Sequence, residues 1–227
     1  MKLTYGLIAV CIIVFIFFGC HTPSEQEKLF ELYGFSGYNL FHGRPWTIVT
    51  SIFVHGNVGH LILNMIALFF FGRVLEEEIT GMKFMLIFLS GGIVGNILCL
   101  FFYPFTEYVV GASAAIFSIM GAAMIKKPFE FIFFPSIVPV PVIYAGLIFI
   151  FSDVLAVFFG ITGNPNVAHV GHLGGLATGL LWGLHEAGFK KTLLVILLII
   201  ISVVVLMPFL LLFFKIFDYT SIISSLV

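Results

Sequence analysis

The chain alternates long apolar runs with short polar links. A bilayer core about 30 Å thick takes about 20 residues of helix to cross. Seven runs approach that length: Leu3–Gly19, Val58–Leu75, Met82–Phe102, Tyr108–Ile125, Val138–Phe159, Ala168–His185 and Thr192–Phe214. None alternates in period two as a lipid-facing strand would, so each is expected to be a helix that satisfies its own backbone hydrogen bonds. The expected fold class is all-α, a polytopic membrane helical bundle with seven transmembrane helices.

Composition agrees with the pattern. Of 227 residues, 61% are hydrophobic and 9% charged, whereas soluble domains carry about 25% charged residues. A net charge of −1 gives no reason to expect nucleic acid. Cys11, Cys20 and Cys99 form neither a disulfide framework nor a metal-ligand spacing. Placement of the few cations sets an orientation. With a cytoplasmic N-terminus, Lys2, Arg73, Lys83, Lys126, Lys127, Lys190 and Lys191 fall inside, and Lys28, Arg44 and Lys215 outside. The expectation is a multi-pass cell-membrane protein, N-terminus in and C-terminus out. Its first external link, about 20–57, is too apolar around Trp46–Val54 for a plain tether and is expected to lie partly in the interface, with Trp46 and Tyr38 at headgroup depth. Lys2, the apolar run and Cys20 also have the outline of a lipoprotein signal, but Phe17 and Phe18 are bulky for such a cleavage site, and the run is read as a span.

Polar groups at membrane depth are costly, and each is a functional candidate. They are His55, His60, Asn64, Asn96, Ser113, Ser118, Ser152, Asp153, His169, His172 and His185. Alone, a serine among Gly and Ala is most often packing material, and a lone His or Asn an interhelical hydrogen-bond partner. Depth changes that balance. The charge bias makes spans 2, 4 and 6 run inward, and His60, Asn64, Ser113 and His172 then all lie within roughly 10 Å of the outer surface at helical rise. Asn64 also follows His60 by four residues, on the same helix face.

This is a hydrolytic set. Ser113 is the candidate nucleophile and His172 a base suited to neutral pH. His60, Asn64 and the open N–H groups at the start of the Ser113 helix are candidate donors to an oxyanion. Without an obvious acid among the outer groups, a Ser–His dyad is expected rather than a triad. Gly171, Gly175, Gly179 and Gly183 recur every four residues, a stripe that admits a neighbouring helix closely; Gly111, Ala115 and Ser118 give span 4 a similar one. Asp153, toward the outer half of span 5, is read as bonding a neighbouring polar group.

His60-Leu-Ile-Leu-Asn64, Gly111-Ala-Ser113 and Ala168-His169-Val-Gly171-His172-Leu-Gly-Gly175 resemble, in order and spacing, the signature segments of the rhomboid intramembrane serine proteases, over about residues 40 to 187. The resemblance implies that Ser113 attacks the scissile carbonyl, that His172 is the general base, and that His60, Asn64 and the Ser113 amide form the oxyanion hole. It places Phe117 against the imidazole, and it likens His55, Glu77 with Gly81, and the Arg44/Trp46 region to the family's structural features around the first loop. His172 is preferred to His169 as base because Gly175 follows it in the family's His-x-x-Gly pattern; His169 is expected to line the cavity or water path. The sequence departs from the family at Ala114, where Gly is usual, and in the order of Arg44 and Trp46. Residues 1–187 would form a six-helix core, and 188–227 an added helix and tail.

The function expected is an intramembrane serine endopeptidase cutting single-pass transmembrane substrates near the outer face of the bilayer, without cofactor or metal. The alternatives are an inactive relative that binds membrane helices and, with Asp153 as its only support, a transporter.

Overall fold

The computed structural model describes residues 2–133, 139–159 and 168–224. Each apolar run becomes a helix, several of them started by a cap. Helix α1, Lys2–Gly19, is followed by three short helices in the first link: α2, Pro23–Tyr33, α3, Gly37–Phe41, and α4, Thr47–Thr50. Pro23 occupies the first helical position of α2, and the Glu25 carboxylate accepts from the Thr22 amide at 2.9 Å. Helix α5, Val58–Glu76, starts where Asn57 Oδ1 accepts from the His60 amide at 2.8 Å. Helix α6, Gly81–Cys99, follows Thr80 as N-cap. Then come α7, Ser113–Lys126, a two-stranded antiparallel ribbon of Phe131–Ile132 and Val140–Pro141, α8, Val142–Phe159, α9, His169–Ala187, and α10, Phe189–Ser224.

The fold is thus an all-α bundle. Lys2–Gly19, Val58–Glu76, Gly81–Cys99 and Phe189–Leu206 are each long and apolar enough to cross a membrane, and Ser113–Lys126 and Val142–Leu155 are shorter apolar helices. Large side chains such as Ile13, Leu63, Ile148, Leu181 and Val204 stand outward and exposed. That surface would be a liability in water and is what lipid requires, so the chain is an integral membrane protein.

Helix α7 is the axis of the bundle, with every residue from Ala114 to Ile125 buried. It is wedged between α6 and α9 at small residues. The methyl of Ala114 sits at Gly95 of α6, and a β-carbon at Gly175 or Gly179 of α9 would run into the carbonyl of Ala114 or Ser118. The stripe on α9 therefore brings backbone against backbone. Helix α1 is held differently. The Glu76 carboxylate at the end of α5 accepts from the amides of Leu3 and Thr4, both at 2.9 Å, and from the Thr4 hydroxyl at 2.6 Å. These N–H groups open a helix and have no acceptor within it. Among the neighbouring acids Glu76, rather than Glu77, makes this tie.

Boundaries differ from the hydropathy reading in several places, of which four are instructive. Helix α6 stops at Cys99, and the chain turns through Leu100–Tyr103 on bonds such as Phe102 N–H to Cys99 C=O at 3.1 Å. Helix α7 begins five residues later than the apolar run Tyr108–Ile125 suggests, because Val109 pairs with Phe35 in an antiparallel bridge and the Gly111 amide donates to the Ser51 carbonyl at 2.9 Å. Extended backbone at this depth is tolerated where protein, not lipid, surrounds it. Helix α8 starts at Val142 after the ribbon; Val138, the expected start, lies outside the described residues. Helix α10 runs through Lys215 and Asp218, where the charges had ended the apolar run, and contains Pro208.

Candidate active site

Ser113 is the first residue of α7. Its position is set by the segment before it, where Gly111 adopts φ +126°, a conformation that a side chain makes strained. Gly111 also leaves room for the His60 ring: a β-carbon there would lie 2.6 Å from Cε1 and Nε2 of His60. The glycine thus turns the chain into α7 and lets α5 bring an imidazole up to the residue two places before Ser113.

His172 stands in the first turn of α9, buried at 8% exposure. Its Nε2 is 2.7 Å from Ser113 Oγ. Phe117, one turn after Ser113, lies against the imidazole with ring centroids 4.6 Å apart and planes 14° from parallel. Behind the ring, His172 Nδ1 is 3.0 Å and 3.1 Å from the two oxygens of Asp153 on α8. An ionised carboxylate only accepts hydrogen bonds, so Nδ1 carries the proton and Nε2 offers its lone pair to the serine hydroxyl. The expectation that no acid attends this histidine is corrected here. Antiparallel neighbours place the C-terminal half of α8 beside the N-terminal turn of α9, so Asp153 reaches His172 across 19 residues of sequence. His169, one turn earlier on α9, donates from Nδ1 to the same Asp153 Oδ1 at 2.6 Å.

His60, Asn64, Gly111, Ser113, Phe117, His169 and His172 all line one cavity of about 320 Å³, which Asp153 and Ser152 also border. Its deeper wall is apolar, formed by residues such as Phe71, Met120 and Phe149. Asn64 donates one amide proton to the His60 carbonyl at 2.8 Å, leaving its second N–H for a ligand. The opening N–H groups of α7 add backbone donors beside Ser113. Gly175 does not border the cavity; it seats α9 on Ala114. The extra methyl of Ala114 is lodged at Gly95, and Ala114 also borders the cavity.

The surrounding features hold these elements. His55 is buried with its ring edge-on to His60 at 5.2 Å. Asn96 of α6 donates to the Ile48 carbonyl and the Ser51 hydroxyl, both at 2.9 Å, fixing the segment that receives Gly111. Arg44 pairs with Glu31 at 3.0 Å, and the Trp46 indole donates to the Leu32 carbonyl at 3.1 Å, so both brace the first link internally.

Asp153, His169 and His172 also present three possible metal ligands, their donor atoms all within 4.8 Å of one another. A zinc ion would need each nitrogen deprotonated at about 2.0–2.1 Å. It would thereby replace the protons that now join the three side chains.

Apolar helices closed around a serine and an acid-backed histidine define a class: a polytopic membrane protein carrying the side chains of a serine hydrolase. The rhomboid domain model matches residues 42–189, and the chain belongs to the rhomboid family. It is similar to "Rhomboid protease GluP" of Bacillus subtilis, 30% identical over 202 residues that cover 84% of this chain and 37% of that protein. It is also similar to "RHOMBOID-like protein 12, mitochondrial" of Arabidopsis thaliana, 29% identical over 170 residues, covering 67% of this chain and 50% of that one. A third relative, "Putative rhomboid protease YdcA" of Bacillus subtilis, is 34% identical over 97 residues, 42% of this chain and 49% of that one. The chain therefore spans half or less of the length of these relatives.

Proposed function

We propose that the protein is an intramembrane serine endopeptidase. The observation that carries this reading is the 2.7 Å contact between Ser113 Oγ and His172 Nε2 at the edge of a cavity inside a membrane bundle. His172 takes the Ser113 proton as Oγ bonds to the scissile carbonyl carbon, and the carbonyl electrons move to oxygen. His60, Asn64 and the first amides of α7 stabilise that oxyanion; losing one such donor costs about 3–4 kcal/mol of transition-state stabilisation in hydrolases of this kind. The protonated His172 then delivers its proton to the leaving amine nitrogen, and water admitted to the cavity hydrolyses the acyl-serine.

The substrates are single-pass transmembrane segments, and the cut falls near the outer face, on the side where Lys28 and Arg44 lie. A peptide bond must leave its helix before Ser113 reaches it, so segments with Gly, Pro or β-branched residues near the cut are favoured. Residues 1–187 form the working core, with α10 as an addition. The protein sits in the cell membrane with its N-terminus inside.

The test uses purified protein, a fluorescent fluorophosphonate and a model transmembrane substrate. Wild type is expected to be labelled and to cleave, and Ser113→Ala to do neither. His172→Ala is expected to lose cleavage by about 10⁴-fold or more, as in other serine hydrolases. Labelling that persists in Ser113→Ala overturns the nucleophile. Cleavage retained in His172→Ala but lost in His169→Ala moves the base to His169.

A further inference from the structure

Asp153 is an acid buried at 3% exposure in an apolar bundle, and the two-residue mechanism above gives it no task. Membrane-buried carboxylates are costly and survive where they are paired or functional. Both oxygens face His172 Nδ1, at 3.0 Å and 3.1 Å, and Oδ1 also receives His169 Nδ1 at 2.6 Å. The His172 ring is thus held on three sides, by Ser113 at Nε2, Asp153 at Nδ1 and Phe117 on its face.

We infer that Asp153 is a positioning residue that completes a Ser113–His172–Asp153 triad, with His169 bracing the carboxylate through its own hydrogen bond to Oδ1. The inference rests on the protease reading. Asp153 does not take a proton in this scheme. It accepts the Nδ1–H hydrogen bond, keeps Nε2 unprotonated in the resting enzyme, and offsets the positive charge when the Ser113 proton arrives at Nε2. In an apolar surround that charge has little else to stabilise it. His169 fixes which way the carboxylate turns; its own Nε2 is buried without a hydrogen-bond partner, so its defined contact is through Nδ1 to Asp153. The arrangement explains why α9 carries two histidines three residues apart.

The discriminating substitution is Asp153→Asn, which keeps the shape but offers an amide in place of the carboxylate. If the amide nitrogen turns to Nδ1, the ring carries its proton on Nε2 and cannot accept from Ser113. Expected is a fall in kcat of about 10²- to 10⁴-fold with KM within about twofold, the upper end being the effect of the same exchange in Ser-His-Asp proteases. His169→Gln should lower kcat by about 10-fold or less, and Asp153→Glu should recover part of the rate lost in Asp153→Asn.

A kcat for Asp153→Asn within fivefold of wild type, with Ser113→Ala inactive, overturns the triad and leaves the protease reading standing. Cleavage by Ser113→Ala instead overturns the serine-protease reading itself. Loss of activity on EDTA with recovery on Zn²⁺ assigns the three side chains to a metal and also overturns the triad. If Asp153→Asn does not fold, nitrogen-15 NMR of the wild-type imidazoles decides, with His172→Ala as assignment control. Nδ1–H with bare Nε2 at His172 supports the inference, and Nε2–H with bare Nδ1 overturns it.

Discussion

Two of the helices that pack against α9, α7 and α10, meet it in different ways. Against α7 it presents Gly175 and Gly179, and backbone touches backbone at Ala114 and Ser118. Against the rest of the bundle α10 buries isolated side chains such as Thr192, Val195 and Ile199, and only 17% of its Phe189–Leu206 window is buried. Lipid is as apolar as leucine, so hydrophobicity cannot drive one helix onto another in the bilayer. The size of the residues at the seam decides which contact is rigid. The 2.7 Å Ser113–His172 hydrogen bond straddles the rigid seam, and α10 contributes no residue to the cavity described for the site.

The strongest way to break this contrast is Gly175→Val. A β-carbon at Gly175 meets the Ala114 carbonyl, and backbone cannot rotate away as a side chain would. Helices α7 and α9 must separate, and a displacement of about 1 Å at a reacting pair costs about 10²-fold in rate. Cleavage should fall at least that far, with a lower thermal midpoint in detergent. Activity close to wild type would mean that the seam does not set the site geometry.

Gly111→Ala tests the approach to the seam rather than the seam itself. The residue sits at φ +126° with His60 against it, so an added methyl strains the backbone and moves the ring. We expect about a 10- to 100-fold loss of kcat with fluorophosphonate labelling still detectable, because Ser113 and His172 keep their contact while an oxyanion donor is displaced. A loss of labelling equal to that of Ser113→Ala would show that Gly111 positions the nucleophile instead.

Ala114→Gly is a smaller perturbation of the same seam. Ala114 is 9% exposed, with its methyl lodged at Gly95. Removing one buried methyl and adding backbone freedom costs about 1–2 kcal/mol. Stability should therefore drop by about that much while kcat stays within about threefold. A larger change in kcat would show that the methyl shapes the substrate path.

These features were unequally legible in sequence. The helices emerged from apolar run length because a bilayer imposes that length, and the glycine period of α9 foretold its packing face. The start of α7 did not emerge. Tyr108–Gly111 continues the apolar run, and its pairing with Phe35 and Ser51 keeps it out of the helix. Ser113, His172, His60 and Asn64 were visible as polar groups at one depth. Asp153 was visible as an intramembrane acid, but its partners lie 16 and 19 residues away across a connection. Counting depth along α8 from its far end would have put it level with His172. Glu76 could not be distinguished from Glu77 without knowing which of them faces the open amides of α1.

The smallest effect is expected at the other seam. Ending the chain after Gly188 removes α10 and uncovers the apolar face of α8 and α9 that it covers. In water such a loss would expose a core. In the bilayer, lipid chains replace α10 on that face, so the change is limited to lost packing and to local polar contacts such as the Lys191 bond to the Lys126 carbonyl at 2.7 Å. The truncated protein should cleave a model transmembrane substrate in liposomes within about twofold of the wild-type rate, with a modestly lower thermal midpoint in detergent. A hundredfold loss at unchanged insertion would mean that α10 transmits force to α9, and the division into a rigid, working seam and a loose, covering one would fail.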